Sequence, residues 1–346
     1  MFFTYDLGNM KTRTTGPNRS PRVRFKPANP LTSPRFSGPT TFNRLPYVPD
    51  FEGKDVDVVL LGIPFDGGTS FRPGSRFAPR AVREASVLSR NYHPEMAVHV
   101  YERLNVVDGG DVSVNPLNFQ KTMASIEAEV TRVRRAGARS ICVGGDHSVL
   151  LPELRALHRT RKKTARGEKN SEPVLIHFDA HTDTADQAWG EKYHHGTPVR
   201  RAIEEGILRG SRVFQIGIRG PLTSKDQESF VRESGIHVLG IDDFHDARKY
   251  RAFFSKLKKA AGRSPCFLSF DVDVLDPAYA PGTGTPVVGG MTSFDALRAL
   301  RGLAGLNIAA ADVVEVSPPY DHAQLTSLVG AAVIFEILAL MASASD

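Results

Sequence analysis

The chain has 346 residues, of which 41% are hydrophobic and 24% are charged, the balance of a globular protein with a large core. No uninterrupted apolar run reaches the roughly 18 residues of a membrane span, so we expect no membrane contact. The two cysteines, Cys142 and Cys266, both lie in apolar runs, which excludes a disulfide framework and favours buried thiols in a reducing cytoplasm.

The net charge of +6 belongs to the first 50 residues, which hold eight basic and two acidic side chains and eight of the 23 prolines. The remaining residues carry 36 basic and 36 acidic side chains. Because they contain no basic face with aromatic platforms, nucleic acid is not an expected partner. We therefore divide the chain into a basic, proline-rich extension, 1–50, and one α/β domain, 51–346. Residues 1–30 are expected to be flexible or to lie along a neighbouring subunit, and the start of the chain lacks the apolar stretch of a secretory signal.

Short, nearly continuous apolar runs predict seven strands, at residues 55–65, 138–148, 173–183, 212–220, 236–242, 265–277 and 308–319. Continuous runs, unlike alternating ones, are typical of strands that are buried on both faces of a parallel sheet. Helical patterns occur at residues 119–137, 148–163, 198–208, 250–262, 293–305 and 326–343. This alternation predicts one doubly wound α/β domain. The charged stretch 159–172 is interpreted as a surface loop.

Acidic and histidine side chains follow four of the predicted strands. They are Asp146 and His147, then Asp179, His181 and Asp183, then Asp271, Asp273 and Asp276, and finally Glu315. The carboxyl ends of parallel strands share one edge of a sheet, where open α/β proteins bind their ligands, so we expect these groups to meet there. The two-residue spacing of Asp179, His181 and Asp183 would place all three on one side of an extended strand.

So many anions repel one another in one cleft unless cations neutralise them. Four aspartates and two histidines without a thiolate suit Mn²⁺ best, with Ni²⁺, Co²⁺ or Fe²⁺ as alternatives. Six ligands exceed the usual four of a zinc ion and suit a pair of divalent metal ions. Metal content per subunit would separate this interpretation from a one-metal zinc deacetylase.

Four motifs carry a resemblance to a known family: GGDHS (144–148), DAHTD (179–183), SFDVDVLDPAYAPGTGTPVVGG (269–290) and DVVEVSPPYD (312–321). In this order they resemble the signatures of the ureohydrolases, the arginase and agmatinase enzymes, over roughly residues 40–340. The resemblance implies a three-layer α/β/α sandwich around a central parallel sheet. It also implies two metal ions per subunit. The implied ligands of the first ion only are His147 and Asp183, and those of the second ion only are His181 and Asp273. Asp179 and Asp271 are implied to bind both ions.

The same resemblance implies that a guanidinium group is hydrolysed to urea and an amine by a water that the metal pair activates. The implied catalytic residues are Asp183, which also binds metal, Glu315 and His195. Glu315 would hold the planar cation in a forked contact, and His195 would transfer the proton to the leaving amine.

Other polar residues near these motifs receive structural interpretations. His177 is expected to lie beside the ligands rather than among them. Asp146 and Asp276 are expected to cap turns or to support ligands, and His194 to line the pocket wall or the surface. Trp189 has two possible roles: it lines the pocket, or it packs against a neighbouring subunit.

One departure from the family pattern reduces the number of possible substrates. Arginases carry an asparagine two residues after the aspartate that matches Asp183, whereas this chain has Ala185 there. Arginine is therefore not expected, and agmatine and 4-guanidinobutyrate are favoured. A nickel-dependent hydrolase of guanidine or a metformin-type biguanide is the alternative within the family, and a non-catalytic regulatory subunit is the alternative of another class. A cytoplasmic homo-oligomer, a trimer or hexamer, is expected, or a hetero-oligomer with a homologous subunit.

Overall fold

The computed structural model describes residues 23–161, 172–222 and 224–344. Its strands are β1 (Val58–Gly62), β2 (Tyr92–His93), β3 (Val98–His99), β4 (Val106–Asp111), β5 (Arg139–Val143), β6 (Val174–Phe178), β7 (Val213–Ile218), β8 (His237–Gly240), β9 (Cys266–Asp271) and β10 (Ile308–Val314). Its α-helices are α1 (Ala78–Ala85), α2 (Val100–Arg103), α3 (Phe119–Arg135), α4 (Leu150–Arg159), α5 (Pro198–Glu204), α6 (Lys225–Ser234), α7 (Ile241–His245), α8 (Ala247–Ala261), α9 (Ser293–Arg301) and α10 (Leu325–Ser343). Short 3₁₀ turns lie at Phe42–Arg44, Ser75–Phe77, Ser86–Leu88, His147–Val149, Gly210–Arg212, Val272–Val274 and Pro318–Tyr320.

Within the described residues, the central sheet has eight parallel strands in the order β4-β1-β5-β10-β9-β6-β7-β8. All seven predicted strands belong to it, and each is shorter than predicted because the polar end of each run forms a loop. Strand β4 was not predicted, since Gly109 and Gly110, with Asp108 before them, interrupt its apolar residues. Strands β2 and β3 pair antiparallel in a separate ribbon.

Both faces of the sheet are covered by helices. On β1, Val58 and Leu60 belong to the apolar cluster on one face of the sheet, and Val59 and Leu61 belong to a cluster on the opposite face. This alternation is the two-residue period of a strand. Helices α1, α8, α9 and α10 pack on the first face, and α3, α4 and α5 pack on the second. The three-layer α/β/α prediction is confirmed, and the six predicted helices are all present.

Helix α10 is long and apolar enough to cross a membrane by length and composition alone. In this fold, 72% of that segment is buried, and it packs against α1, α9 and β10. Its one charged residue, Glu336, forms an ion pair with Arg301. Burial in one layer of the sandwich thus accounts for its composition.

The later part of the N-terminal extension is attached to the α/β domain. Phe42 and Leu45 are buried in the core, and the backbone N–H of Phe42 donates to Asp108. The Arg83 guanidinium pairs with the same carboxylate and lies 4.1 Å from the centre of the Phe42 ring. The boundary at residue 50 stays a prediction. The expected course of residues 1–22 and most of the predicted loop at 159–172 lie outside the described residues.

Candidate active site

The polar clusters are brought together by five neighbouring strands. The loops after β1, β5, β10, β9 and β6 all leave the same edge of the sheet, and these strands are adjacent in its order. Parallel strands place their carboxyl ends side by side, so residues from distant parts of the chain meet there without any long connection. Most of the side chains that meet are almost entirely buried, whereas the His181 side chain is 37% exposed.

One group of ligand atoms surrounds His147. Its Nδ1 atom lies 3.0 Å from Asp179 Oδ2, 3.0 Å from Asp183 Oδ2 and 3.2 Å from Asp271 Oδ2. The other imidazole nitrogen, Nε2, is 2.8 Å from the Ser269 hydroxyl. That hydroxyl donates to Asp312 Oδ1 at 2.7 Å, so Nε2–H donates to Ser269 and Nδ1 is left free to bind a metal ion.

A second group lies beside the first and shares Asp179 with it. His181 Nδ1 is 3.0 Å from Asp273 Oδ2 and 3.4 Å from Asp179 Oδ1. Asp271 Oδ1 accepts a hydrogen bond from the backbone N–H of Asp273 at 2.8 Å. The two groups fit a pair of metal ions with Asp179 between them. Asp271 belongs with the first group through its contact with His147, and its bridging role stays a prediction.

Several of these atoms are buried and have no hydrogen-bond partner, namely His147 Nδ1, Asp179 Oδ2, Asp183 Oδ2 and Asp273 Oδ2. Buried polar atoms are normally satisfied, and a cluster of exceptions requires an explanation. Among the described residues, no lysine or arginine pairs with the six predicted ligands; the nearby Arg219 donates to backbone carbonyls instead. The donor set therefore fits divalent cations.

The charges of this cluster are strongly coupled. Burial, together with the Asp273 and Asp179 carboxylates, raises the pKa of Asp271 well above its usual range. Burial alone would lower the pKa of His181, but the same two carboxylates raise it to about 12. Without metal, protons supply the compensating charge, and metal binding would release them.

The DAHTD segment is not an extended strand, but its three polar side chains do reach the two groups of ligand atoms. The segment leaves the strand after Phe178, and Asp183 has a φ of +52°, which turns the chain. Asp179 and Asp183 therefore approach His147, whereas His181 approaches Asp273. Glu315 also has a positive φ, +63°. Such strained backbone in non-glycine residues is concentrated at functional sites.

His177 lies beside the cluster, and its ring is within reach of the same ligand atoms as His147, so its predicted supporting role stays a prediction. Its Nε2 atom lies 3.1 Å from Asp179 Oδ2, and its ring stacks on that of His147. The Gln215 amide donates both to the Thr182 carbonyl and to His177 Nδ1. Because Nδ1 accepts, Nε2 carries the proton. Nε2 lies close to Asp179 Oδ2 but forms no hydrogen bond with it.

Glu315 and His195 are in direct contact next to the metal ligands. Glu315 Oε1 is 2.8 Å from His195 Nδ1 and accepts the backbone N–H of His147 at 2.9 Å. Glu315 Oε2 is buried and has no partner. The predicted forked contact with a guanidinium stays a prediction, and Oε2 is the oxygen that is free to accept from a substrate. A Cβ atom on Gly284 would lie 3.1 Å from Oε2, so the missing side chain keeps this space open.

The remaining predicted residues have structural contacts. Asp146 accepts the N–H groups of Gly68 and Ser148, and Asp276 caps its own loop through Ala278, Gly289 and Gly290. His194 is half-buried beside His195. Trp189 is 83% exposed, which leaves both of its interpretations open. Cys142 and Cys266 are buried, unpaired thiols, as predicted.

Sequence reasoning missed three contributors to the site: Ser269, Asp312 and Ser70, whose hydroxyl contacts His195. A signal existed for Asp312, because a charged residue inside the apolar run of β10 must be buried with a partner. No local signal distinguished Ser70 within its glycine-rich loop.

Comparison with known proteins identifies the family. The family model described as "Arginase family" matches residues 56–340. This chain belongs to the arginase family. A guanidinopropionase of Pseudomonas aeruginosa is 45% identical over 322 residues, covering 92% of this chain and 97% of the relative. A guanidinobutyrase of the same organism is 39% identical over 310 residues, covering 89% and 94%.

A solved structure of the family has the same architecture. The proclavaminate amidino hydrolase from Streptomyces clavuligerus is 36% identical and matches with a TM-score of 0.82, covering 90% of this chain and 100% of the other. The arginase family depends on a pair of metal ions, and the His/Asp cluster of this chain is placed where two such ions could be held.

Proposed function

We propose that this protein is a metal-dependent amidinohydrolase that cleaves a small guanidino acid, such as 3-guanidinopropionate or 4-guanidinobutyrate, to urea and an amino acid. The observation that carries the proposal is the buried set of unpartnered ligand atoms next to Glu315 Oε2, an equally buried and unpartnered acceptor. A cation-binding cage beside a single free carboxylate oxygen suits a guanidinium. The names of the two Pseudomonas relatives support the acid as substrate.

The metal ions would be held by the two groups around His147 and His181, with Asp179 and Asp271 between them. We propose Mn²⁺ because four carboxylates and two imidazoles favour a hard or borderline ion, with Ni²⁺ as the alternative. When bound, the pair would supply the lowered pKa of water and the charge stabilisation that hydrolysis of an amidine needs near neutral pH.

The protein's own residues would orient the substrate and move its proton. Glu315 Oε2 accepts an N–H of the guanidinium, next to the space that Gly284 leaves. Burial opposes protonation of His195, but the Glu315 carboxylate raises the pKa of the imidazole to about 9. His195 can therefore hold a proton near neutral pH and give it to the leaving amine.

The test is a urea-release screen with enzyme stripped of metal and reconstituted separately with Mn²⁺ and Ni²⁺. The substrates are 3-guanidinopropionate, 4-guanidinobutyrate, agmatine, arginine, guanidine and a biguanide. We expect kcat/KM to be highest for a guanidino acid with Mn²⁺, and Glu315→Gln to lose most of this activity. Preference for arginine would contradict the argument from Ala185. Nickel-dependent cleavage of guanidine or the biguanide would support that alternative, and no urea from any substrate would favour a regulatory subunit.

We further propose that the protein acts in the cytoplasm as a trimer or hexamer, which rests on the family resemblance. Light scattering of the purified protein tests the assembly, and a monomer would contradict it. A second, homologous chain that is required for activity would point to a hetero-oligomer.

A further inference from the structure

Ser70 contacts the imidazole nitrogen of His195 that faces away from Glu315. The Ser70 hydroxyl oxygen lies 2.6 Å from His195 Nε2, and the Ser70 backbone N–H donates to the same nitrogen at 3.2 Å. On the other side of the ring, Nδ1 is held by Glu315. His195 is buried whereas Ser70 is exposed. The serine thus lies between a buried imidazole and the solvent.

The loop that carries Ser70 is tied down on both sides of this residue. Before it, the Gly68 N–H donates to Asp146 Oδ2 at 2.7 Å, and the Gly68 carbonyl accepts from the backbone of His195 at 3.0 Å. After it, the Gly74 N–H donates to the buried Asp66 carboxylate at 2.7 Å. The contact between Ser70 and the imidazole is therefore a built feature of the loop.

The hydrogen bonds identify which proton of His195 is mobile. Since the Ser70 N–H donates to Nε2, the neutral ring carries its proton on Nδ1, where Glu315 accepts it. The additional proton of the imidazolium is then the one on Nε2, 2.6 Å from the Ser70 hydroxyl. A hydroxyl can accept from Nε2–H of the charged ring and donate to Nε2 of the neutral ring, which is what a relay requires.

We propose that Ser70 is a positioning residue for His195 whose hydroxyl passes a proton from solvent water to Nε2 after each turnover. This inference rests on the proposed function, in which the leaving amine takes the Nε2 proton: an N–H bond of the ring breaks and one of the amine forms. In recharging, the Ser70 O–H bond breaks as Nε2–H forms, and the hydroxyl takes a new proton from a hydronium ion. The net change is one proton moved from solvent to the amine.

The charged and titratable groups that face His195 are Glu315, Asp146, Asp183 and His194. In the described structure, none of these four groups forms a hydrogen bond with Nε2, whereas Ser70 does. Removing the hydroxyl therefore removes the described route from solvent to this nitrogen and leaves the Glu315 contact in place.

The test compares Ser70→Ala and Ser70→Thr with wild type, with Ser37→Ala as the matched control. Ser37 is an exposed serine that donates to the Pro34 carbonyl in a surface turn, and its loss should leave kcat unchanged. We expect Ser70→Ala to lower kcat by about 10-fold or more, within the range of general acid–base effects, with KM little changed and the largest loss at high pH. Threonine, which keeps a hydroxyl, should restore most of the rate, as should added imidazole buffer in the alanine variant.

A wild-type kcat for Ser70→Ala from pH 6 to pH 9.5 would overturn the relay. Equal losses in both variants without rescue by imidazole would also overturn it, because they indicate only a structural role. The ¹⁵N signals of His195 give a readout without turnover: Ser70→Ala should lower the pKa of the ring, and an unchanged titration would contradict the proposal. If wild type releases no urea from any guanidino substrate, the proposed function is wrong. The NMR titration needs no turnover, so it still tests the contact between Ser70 and His195 in that case.

Discussion

Two buried acidic clusters in this molecule are built in opposite ways. Around Glu336 on α10, both carboxylate oxygens are occupied: Arg301 donates to Oε1 and Oε2, and His93 lies 2.9 Å from Oε2. Around Asp179, by contrast, carboxylates face one another and three imidazoles, and several atoms have no partner. The first cluster contains a permanently charged guanidinium, and the second has no lysine or arginine partner among the described residues.

The difference separates a structural ion pair from a binding site. A buried carboxylate is costly unless it is paired, and an arginine fork satisfies it permanently. Leaving four carboxylates without such a partner destabilises the fold, and the sequence tolerates this cost only where an added ion supplies the charge. Substitutions in the two clusters should therefore affect different quantities.

The largest effect is expected for Asp179→Asn, because Asp179 belongs to both groups of ligand atoms. Turnover should fall by at least about 10³-fold, since metal ions supply several kcal/mol of charge stabilisation. Burial alone would raise the pKa of Asp179, but the His177, His147 and His181 imidazoles hold it well below its ordinary value. The free energy of unfolding of the metal-free protein should therefore also fall, because the ionised carboxylate stabilises the folded state. Urea release, metal content and denaturant unfolding measure the three quantities. A variant that keeps two ions per subunit and full turnover would refute the site.

Glu336→Gln should act on stability and not on chemistry. Removing one partner of a fully buried pair costs about 3–5 kcal/mol, and we expect about 2–3 kcal/mol here because the Arg301 side chain is 28% exposed. The kcat of the folded protein should be unchanged. The matched control is Glu233→Gln, at an exposed pair with Arg232, which should change unfolding by less than about 0.5 kcal/mol. Equal effects of the two variants would contradict this comparison.

Asp312→Asn tests the residues behind the metal ligands. It weakens the hydrogen bond that orients Ser269 and, through it, His147, so Mn²⁺ affinity should fall by about 10–100-fold. Calorimetric titration of Mn²⁺ into the metal-free protein measures this. Asp295→Asn, which changes a carboxylate near the start of α9 away from the site, should leave the affinity unchanged. The prediction fails if both variants bind Mn²⁺ like wild type.

The smallest effect concerns Glu153 and depends on pH. Burial, followed by the neighbouring Asp312, raises the pKa of Glu153 well above its ordinary value of 4.5. A raised pKa means that the folded state favours the protonated carboxyl, so stability is lost as pH rises from about 4.5 through the folded value. Because burial opposes ionisation of this carboxyl and the neighbouring Cys142 thiol is only a weak hydrogen-bond donor, Glu153→Met should stabilise by about 1 kcal/mol at pH 8. The gain should shrink toward pH 4.5, and a gain independent of pH would contradict this origin.

Patterns along the chain predicted the parts of the fold that repeat. The strands and helices followed from continuous apolar runs and helical spacing, and the residues after the strands were predicted to share one edge. Strand β4 was not predicted because Gly109 and Gly110 interrupt its apolar run. The fold tolerates a buried Asp108 in this strand because Arg83 pairs with it. Helix α6 was not predicted because none of its described residues is buried, so its sequence has no apolar stripe.

The sequence by itself determined the layered α/β architecture and the residue types that gather at the carboxyl edge of the sheet, because strand burial and ligand chemistry are local properties. Only the tertiary structure decided how those side chains are oriented. The positive φ of Asp183 directs it to His147, the two hydrogen bonds of Glu315 Oε1 leave a single free oxygen, and Ser70 reaches His195 across 125 positions of the chain. Such contacts depend on how separate loops pack on one sheet edge, and nothing in the neighbouring residues encodes them.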